Sequence, residues 1–159
     1  MSSCVIPGSF DPVTRGHTDL IRRASAVFDR VTAVVMVNVR KAGVFTPEER
    51  AEMLRKACGA LPNVRVETWD GLLADYLREK NERVVIRGVR GAGEFDSEVI
   101  SAQANRMLNP EAETLLLPAG EGNHWISSSA VKEIAAFGGE IRDFIPPECA
   151  EEIRSRLAK

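Results

Sequence analysis

Residues 7–17 of the chain read Pro7-Gly8-Ser9-Phe10-Asp11-Pro12-Val13-Thr14-Arg15-Gly16-His17. A short apolar run precedes this stretch at residues 4–6, and an amphipathic segment follows it at residues 19–28. This order is typical of a buried strand, a glycine-containing turn and the start of a helix. Backbone N–H groups and the positive end of the helix dipole converge on such a turn, so an anion binds well there. The stretch therefore predicts a phosphate site, with His17 at the start of the helix.

Apolar runs of strand length alternate with helical patterns along the rest of the chain. The predicted strands are residues 4–6, 31–39, 64–67, 84–86 and 114–117. The predicted helices are residues 19–28, Thr46 to Gly59, 72–80, 94–108, 128–137 and about 147–158. Short buried strands joined by single helices form right-handed crossovers and a parallel sheet. The sequence thus predicts an α/β fold, a single doubly wound Rossmann-like domain over residues 1–159 with a five-stranded parallel sheet.

Composition narrows the class of protein. Hydrophobic residues make up 44% and charged residues 28% of the chain, with a net charge of −2, which is ordinary for a soluble globular protein. This charge disfavours a general nucleic-acid or membrane-surface role. No apolar run approaches the roughly 20 residues that span a bilayer, and the N-terminus lacks a signal-peptide pattern. The three cysteines are far apart and form no CxxC pair, which favours a reduced, cytoplasmic protein without a zinc site.

Two further loops that follow predicted strands carry cations. Residues 38–45 contain the pair Arg40-Lys41, which suits a phosphate ligand, although a lone pair of this kind is more often a solvated surface turn. Residues 87–93 read Arg87-Gly88-Val89-Arg90-Gly91-Ala92-Gly93. Two guanidinium groups in a glycine-rich turn can both point at one anion, and their fork geometry matches phosphate oxygens. This segment is therefore interpreted as a binding loop.

Serines and polar helix residues complete the candidate site. Ser127, Ser128 and Ser129 open a predicted helix. One serine at that position is an ordinary N-cap, but three beside the other anion-binding loops indicate a second phosphate cradle. Glu98 and Asn105 lie seven residues apart, hence on one face of their helix. They either hydrogen-bond a ligand or remain surface residues.

Two residues of the opening stretch leave alternatives open. His17 either donates to a phosphate oxygen and stabilises charge developing on phosphorus, or it caps its own helix. Asp11 either orients local backbone, lies near a metal or, as is more common, forms an Asx-type turn before Pro12. The chain shows no Ser–His–Asp set, metal-ligand cluster or P-loop lysine motif. An anion clamp with few general bases suits phosphoryl or nucleotidyl transfer.

The motifs, taken in order, resemble those of one enzyme family. Residues 8–12 and 14–17 are similar to the opening signature of the nucleotidyltransferase superfamily with TxGH and HxGH motifs. Four more motifs follow in this order: Phe45-Thr46-Pro47-Glu48-Glu49-Arg50, Ile86-Arg87-Gly88-Val89-Arg90, Asn105-Arg106 and Ile126-Ser127-Ser128-Ser129. Together they resemble the bacterial phosphopantetheine adenylyltransferase family over nearly the whole chain. The chain departs from that pattern at Ser97 and across residues 120–125.

The resemblance implies the penultimate step of coenzyme A synthesis. In that step AMP passes from ATP to 4′-phosphopantetheine, which yields 3′-dephospho-coenzyme A and pyrophosphate by direct in-line attack without a covalent enzyme intermediate. The resemblance also implies Mg²⁺ on the triphosphate, a homohexamer and coenzyme A as a feedback inhibitor. The alternatives are a cytidylyltransferase or nicotinamide mononucleotide adenylyltransferase of the same superfamily, and a regulatory module that binds nucleotide or coenzyme A without catalysis.

The resemblance also implies a role for individual residues, each carried over by its position in a motif. The implied catalytic residues are His17, Ser9, Lys41 and Arg90. The implied ATP site comprises Ser9, Phe10, His17, Gly88, Val89, Arg90, Glu98, Asn123, His124, Trp125, Ile126, Ser127, Ser128 and Ser129. The implied phosphopantetheine site comprises Ser9, Lys41, Leu73, Arg87 and Asn105. No side chain is implied as a metal ligand.

Overall fold

The structure is a computed structural model that describes residues 1–38 and 42–158. Within these ranges strands and helices alternate along the chain. The strands are β1 (Ser3–Gly8), β2 (Arg30–Val37), β3 (Val64–Asp70), β4 (Val84–Val89) and β5 (Glu113–Pro118). The helices are α1 (Arg15–Ser25), α2 (Pro47–Ala57), α3 (Leu73–Lys80), α4 (Ala92–Leu108), α5 (Ser128–Ala136) and α6 (Ala150–Leu157). Two short 3₁₀ helices, Arg142–Phe144 and Pro147–Cys149, precede α6.

The strands pair in parallel and form one five-stranded sheet in the order β3-β2-β1-β4-β5. The chain first builds outward from β1 to the β3 edge and then returns past β1 to build β4 and β5. The direction of building therefore reverses between β1 and β4. This topology confirms the predicted doubly wound, Rossmann-like α/β fold. Ligands of such sheets bind beyond the carboxyl ends of the strands at the point of reversal.

Both faces of the sheet are covered, and each face has its own core. Cys4 and Ile6 of β1 belong to the larger core, whereas Val5 between them belongs to the smaller one. Successive side chains of a strand point to opposite faces, which explains this alternation. Helices α1, α2, α5 and α6 supply buried side chains to the larger core, and α3 supplies Tyr76 and Leu77 to the smaller one.

Helix α4 differs from the other helices in its burial. None of its 17 residues is buried in the single chain. Four of its apolar side chains are exposed by about half or more: Phe95 (49%), Ile100 (66%), Met107 (85%) and Leu108 (51%). An exposed apolar face of this extent is typical of a surface that packs against another chain.

The first helix begins and ends earlier than the sequence predicts. It begins at Arg15 rather than at residue 19, because Thr14 and His17 form a capping box. The His17 N–H donates to Thr14 Oγ1 at 3.4 Å, and the Thr14 N–H donates to His17 Nδ1 at 3.0 Å. These bonds satisfy N–H groups at the helix start, where the helix offers no carbonyl partner. The helix ends at Ser25 rather than at residue 28.

Strand lengths also differ from the prediction. Strand β3 continues to Asp70, which pairs with Val37 of β2, and β4 continues to Val89, which pairs with Pro118 of β5. Arg87 and the two residues after it therefore belong to a strand rather than to a loop, because the ladder with β5 extends that far. The predicted end of β2, Val39, lies outside the described residues.

The last predicted helix is divided into two parts. Residues 147–149 form a 3₁₀ turn, and the α-helix begins only at Ala150.

No helix in the described ranges combines the length and the apolar character needed to cross a membrane.

Candidate active site

One cavity of about 390 Å³ opens beyond the carboxyl ends of β1 and β4, at the point where the strand order reverses. Its walls come from the loop after β1, the first turns of α1 and α4, the end of β4 and the start of α5. The structure brings most of the sequence-predicted site residues together here: Ser9, Phe10, His17, Arg87, Gly88, Val89, Arg90, Glu98, Asn123, Ile126, Ser127, Ser128 and Ser129. These residues come from four separate stretches of the chain, and the parallel sheet places all four at one edge.

Two predicted substrate residues lie away from the lining of this cavity. Leu73 begins α3, and its side chain packs against the smaller core. Asn105 lies on α4 seven residues after Glu98, and Glu98 does line the cavity. The structure therefore does not bring Leu73 and Asn105 into contact with the cavity of the single chain. Lys41, predicted as the acceptor-phosphate lysine, lies outside the described residues.

His124 and Trp125, two of the predicted ATP-site residues, also do not line the cavity. Both side chains are exposed. The Trp125 ring instead makes an edge contact with the Phe144 ring, with 4.8 Å between the ring centroids. Their neighbour Asn123 does reach the cavity wall. The segment before the serines thus contributes only part of its length to the cavity.

The loop after β1 places Phe10 in an unusual backbone conformation. Its φ is +49°, in the left-handed region that side chains other than glycine rarely adopt. The ring is 1% exposed and meets the His17 ring edge-on, with 4.9 Å between centroids. A Cβ atom on Gly8 would lie 3.0 Å from Phe10 Cζ, so any side chain at residue 8 would require the ring to shift by a few tenths of an ångström. In the same loop, the peptide bond between Asp11 and Pro12 is cis.

His17 faces the cavity in a defined protonation state. Its Nδ1 accepts the Thr14 N–H at 3.0 Å, so the proton of the neutral ring resides on Nε2. Burial, together with the positive charges of Arg87 and Arg90, lowers the pKa of His17 from 6.5 to about 4. The ring is therefore a neutral hydrogen-bond donor at pH 7. The capping alternative for His17 is confirmed, and the donation to a phosphate stays a prediction, for which Nε2–H remains available.

Arg87 is held in place by an acid of α4 and by the backbone of β1. Its Nε donates to Glu98 Oε2 at 2.8 Å and its Nη2 donates to Glu98 Oε1 at 2.9 Å, which is a bidentate pair. Its Nη1 donates to the Pro7 carbonyl at 2.6 Å. The guanidinium thus lies at the cavity wall with its fork directed at a carboxylate. A phosphate has the oxygen geometry to replace that carboxylate.

Arg90 lies directly after β4, and its acidic partner on α4, Glu94, is one turn earlier than Glu98. Its guanidinium pairs with Glu94, and its Nη1 donates to the Ile126 carbonyl at 3.1 Å. The hydrogen bond from Arg90 is the first cause that holds the pKa of Glu94 below its ordinary value. Arg90 therefore connects the end of β4 to the segment just before α5. Each of the two predicted cations carries one glutamate of α4 as its partner.

Ser127 and Ser128 have different roles: one caps helix α5, and the other binds the loop after β1. Ser127 is the N-cap, and its Oγ accepts the Ala130 N–H at 3.0 Å. The Ser128 hydroxyl donates to the Pro12 carbonyl at 2.8 Å. The N–H groups of Ser128 and Ser129 belong to the first turn, where a helix supplies no carbonyl partner, and they suit an anion in the cavity. One serine is thus the ordinary cap, and the segment also fits the predicted cradle.

Asp11 does not form the Asx-type turn expected before Pro12. Its Oδ1 accepts the Phe45 N–H at 2.9 Å and its Oδ2 accepts the Val44 N–H at 3.0 Å. The Lys132 ammonium lies 3.4 Å from Oδ2. A carboxylate that is 7% exposed needs such partners, and it finds them in segments 33 to 121 residues away along the chain. Asp11 therefore joins the loop after β1 to the start of α2 and to α5.

The sequence interpretation assigned no role to Arg50, another charged residue that contacts the loop after β1. Its guanidinium donates to the Ser9 carbonyl at 2.8 Å although the side chain is only 6% exposed. A signal was available in the sequence, because Arg50 shares the apolar face of α2 with Met53 and Leu54 at helical spacing. A cation on a buried helix face requires a specific polar partner.

Comparison with known proteins agrees with this geometry. The Cytidylyltransferase-like family model matches residues 5–134. The chain is 46% identical over 154 residues to the Phosphopantetheine adenylyltransferase of Rubrobacter xylanophilus, a match that covers 97% of this chain and 94% of that protein. It is 45% identical over 161 residues to the protein of the same name from Deinococcus radiodurans, covering 99% and 95%. A relative of that name from Clostridium perfringens is 42% identical over 154 residues, covering 97% and 94%. The chain therefore belongs to the cytidylyltransferase-like family, and within it to the phosphopantetheine adenylyltransferases.

Proposed function

We propose that this protein transfers AMP from ATP to 4′-phosphopantetheine, with 3′-dephospho-coenzyme A and pyrophosphate as products. The observation that carries the proposal is the cavity in which His17, Arg87, Arg90 and the start of α5 face one another. Family membership supports the choice of substrates, since relatives at 42–46% identity over nearly the full length carry that name. His17, the two arginines and the start of α5 are three sets of groups suited to phosphate. They fit a reaction between a phosphate monoester and a triphosphate.

The reaction needs little chemistry from the side chains themselves. An oxygen of the acceptor phosphate forms a bond to the α-phosphorus, and the bond from that phosphorus to the oxygen leading to the β-phosphorus breaks. Pyrophosphate leaves with the electron pair, in line with the attack. The nucleophile is already ionised, so it needs no general base. Positioning and stabilisation of negative charge supply the rate enhancement.

His17 is assigned to the α-phosphate. Its Nε2–H is a neutral donor at pH 7, because Nδ1 is engaged by the Thr14 N–H and burial lowers the ring pKa to about 4. A donor fixed in this way stabilises the charge that accumulates on the phosphoryl oxygens in the transition state. Ser9 lies beside it in the cavity wall and is assigned to the same reacting phosphates.

The two arginines are assigned to the two substrates. Arg87 takes the acceptor phosphate, and Arg90 takes ATP together with Gly88, Val89 and the serine segment. Arg87 lies within β4 and Arg90 directly follows it, and both line the cavity. Glu98 is assigned to ATP, in which case it must release the Arg87 fork when the acceptor binds. The assignments of Lys41, Leu73, Asn105, His124 and Trp125 rest on the family resemblance and stay predictions.

Magnesium is proposed to enter with the triphosphate. The described residues contain no group of three or more His, Cys, Asp or Glu side chains arranged to hold a metal ion. No side chain is assigned as its ligand, and we infer that phosphate oxygens and water coordinate it. The ion would neutralise part of the triphosphate charge.

A homohexamer and inhibition by coenzyme A complete the proposal. The exposed apolar face of α4 supports assembly with further copies of this chain, since none of its 17 residues is buried in the single chain. Coenzyme A shares the pantetheine arm with the acceptor and the adenosine with ATP, so it fits a site that accepts both. A cytoplasmic location is proposed on the three cysteines, which are buried free thiols rather than disulfides.

Pyrophosphate release from defined substrate pairs tests the function. We expect release with ATP and 4′-phosphopantetheine, together with a product of the mass of 3′-dephospho-coenzyme A. Turnover with CTP, or with nicotinamide mononucleotide as acceptor, would favour another activity of the superfamily. Tight binding of ATP or coenzyme A without turnover of any pair would favour a regulatory module.

A further inference from the structure

Arg50 of α2 is a buried cation without a matching anion in the described part of the chain. Its side chain is 6% exposed, and none of the ion pairs between described residues includes it. Removal of an unpaired charge from water is expensive, so a buried guanidinium is retained only where it has a specific partner or task. Its partners are two backbone carbonyls, Ser9 at 2.8 Å from Nη1 and Thr46 at 3.3 Å from Nε.

Arg50 binds a residue of the cavity wall, Ser9, from the side of the loop that faces away from the cavity. Ser9 lines the cavity, whereas Arg50 does not. In a trans peptide the carbonyl and the following N–H point in opposite directions, and the Ser9–Phe10 peptide is not among the cis bonds of the described chain. A carbonyl held toward Arg50 therefore turns the Phe10 N–H away from Arg50. No hydrogen bond from this N–H to another described residue is present.

Phe10 itself shows that this peptide is held in a defined orientation. Its φ of +49° is unfavourable for a side chain with a Cβ atom, and such a conformation persists only where the surroundings fix it. The buried ring fixes one side of the residue. Arg50 fixes the other side through the Ser9 carbonyl.

Two other carbonyls, that of Pro7 in β1 and that of Pro12 in the loop, are held by side chains from other elements. Arg87 binds the Pro7 carbonyl at 2.6 Å, and Ser128 binds the Pro12 carbonyl at 2.8 Å. Both of those side chains also line the cavity. Of these three side chains, only Arg50 does not line the cavity. It therefore affects a ligand through the backbone of the loop.

We infer that Arg50 is a positioning residue, which directs the Phe10 N–H into the cavity as a donor to a phosphate of the nucleotide. Its charge, which has no ion-pair partner in the described chain, also attracts polyphosphate in the cavity. The inference rests on the proposed function only in taking the anion to be ATP. Backbone N–H groups in a loop between a strand and a helix are suited to phosphate.

Equilibrium binding separates positioning from a purely structural role. The titrations use ATP and inorganic pyrophosphate, each without acceptor, on the full-length wild type and on Arg50→Met, Arg50→Lys and Arg50→Ala. Arg55→Met is the matched control, since Arg55 lies on the same helix with about half of its side chain exposed (51%). Thermal melting of every variant is recorded in parallel.

We expect Arg50→Met to weaken ATP binding by about tenfold or more, and Arg50→Lys to lie between it and the wild type, because lysine keeps the charge but not the fork. Arg55→Met stays within about twofold of the wild type. Methylguanidinium at millimolar concentration restores ATP binding to Arg50→Ala and does not change the wild type. If Arg50→Met does not fold, Arg50→Lys and the rescue of Arg50→Ala decide the question.

A variant with a lowered melting temperature but wild-type affinity for ATP and pyrophosphate would overturn the inference, because Arg50 would then only stabilise the fold. Absence of rescue by methylguanidinium, together with unchanged binding in Arg50→Lys, would overturn it as well. A wild type that binds ATP but forms no 3′-dephospho-coenzyme A would instead contradict the proposed function, and the affinities of the Arg50 variants would still decide this inference. A wild type that binds neither ATP nor pyrophosphate would overturn both.

Discussion

The Thr14 N–H donates to His17 Nδ1 at 3.0 Å, and this one bond settles both the orientation and the tautomer of the imidazole. It completes a capping box at the start of α1, a position at which Glu or Gln is the usual partner. The ring thus gains a helix-capping role without losing its second nitrogen. Nε2–H is left as a fixed neutral donor in the cavity.

The pH dependence of His17 follows from its lowered pKa. The unfolded chain binds a proton on this ring near pH 6.5, whereas the folded protein binds it only near pH 4. Between these values the unfolded state holds more protons, so stability falls as the pH drops from about 6.5 toward 4. Above pH 6.5 His17 contributes no pH dependence. Proton NMR titration of the ring, assigned with a His17→Gln variant, is expected to give a midpoint well below 6.5, and a midpoint at 6.5 would contradict the burial of this group.

Two substitutions of His17 distinguish the helix-capping role of Nδ1 from the hydrogen-bond donation by Nε2–H. We expect His17→Ala to lower turnover by about 10²–10³-fold with a much smaller effect on ATP affinity, since it removes a donor that acts in the transition state. His17→Gln keeps both an acceptor for the Thr14 N–H and an amide donor, so it retains more turnover than the Ala variant. Steady-state kinetics and calorimetric ATP binding measure the two effects. A Gln variant no faster than Ala would show that the ring does not act as a neutral donor.

Replacement of Glu98 tests whether the Arg87 fork must exchange a carboxylate for a phosphate. Loss of the carboxylate charge leaves Arg87 without its bidentate anionic partner, so Glu98→Gln is expected to bind inorganic pyrophosphate about threefold more tightly than the wild type. Isothermal titration calorimetry measures this. Glu111→Gln is the control, because Glu111 pairs with Arg83 in an exposed pair. Weaker binding by Glu98→Gln would show that Glu98 holds Arg87 in its binding orientation instead.

Asp11→Asn tests the connection between the loop after β1 and the start of α2. An amide offers one acceptor oxygen where the carboxylate offers two, so either the Val44 or the Phe45 N–H loses its partner. We expect the free energy of unfolding to fall by about 1–3 kcal/mol in urea denaturation. Asp75→Asn, in an exposed pair with Arg78, serves as the control and stays within about 0.5 kcal/mol. Equal effects of the two substitutions would contradict the role given to Asp11.

The apolar face of α4 predicts the behaviour of the protein in solution. Ile100→Glu places a charge where a neighbouring copy is proposed to pack, so we expect the variant to sediment as smaller species than the wild type. Val27→Glu changes a side chain of similar exposure, 74% against 66%, at the end of α1, and it is expected to leave the assembly intact. Analytical ultracentrifugation distinguishes these outcomes. A monomeric wild type would contradict the proposed hexamer.

The sequence by itself determined the fold and most of the cavity wall. The alternation of apolar runs with helical patterns is a local property, and short parallel strands with single-helix connections require crossovers of one hand and helices that cover the sheet. The glycine-containing turn, the segment at Arg87 and the serines all follow predicted strands or open predicted helices. Their convergence at one edge follows from the fold, because carboxyl ends of parallel strands share that edge.

Only the tertiary structure decided which partners those residues take. Asp11 was expected to turn locally, yet it binds N–H groups of residues 44 and 45. The Arg50 bond to Ser9 spans 41 residues, and the Arg87 bond to Pro7 spans 80. Local patterns carry no information on pairings at such distances, since a charged side chain finds its partner by packing and not by spacing. The residues of the opening stretch could thus be named from the sequence, whereas the orientation of its peptides depended on side chains from three other elements.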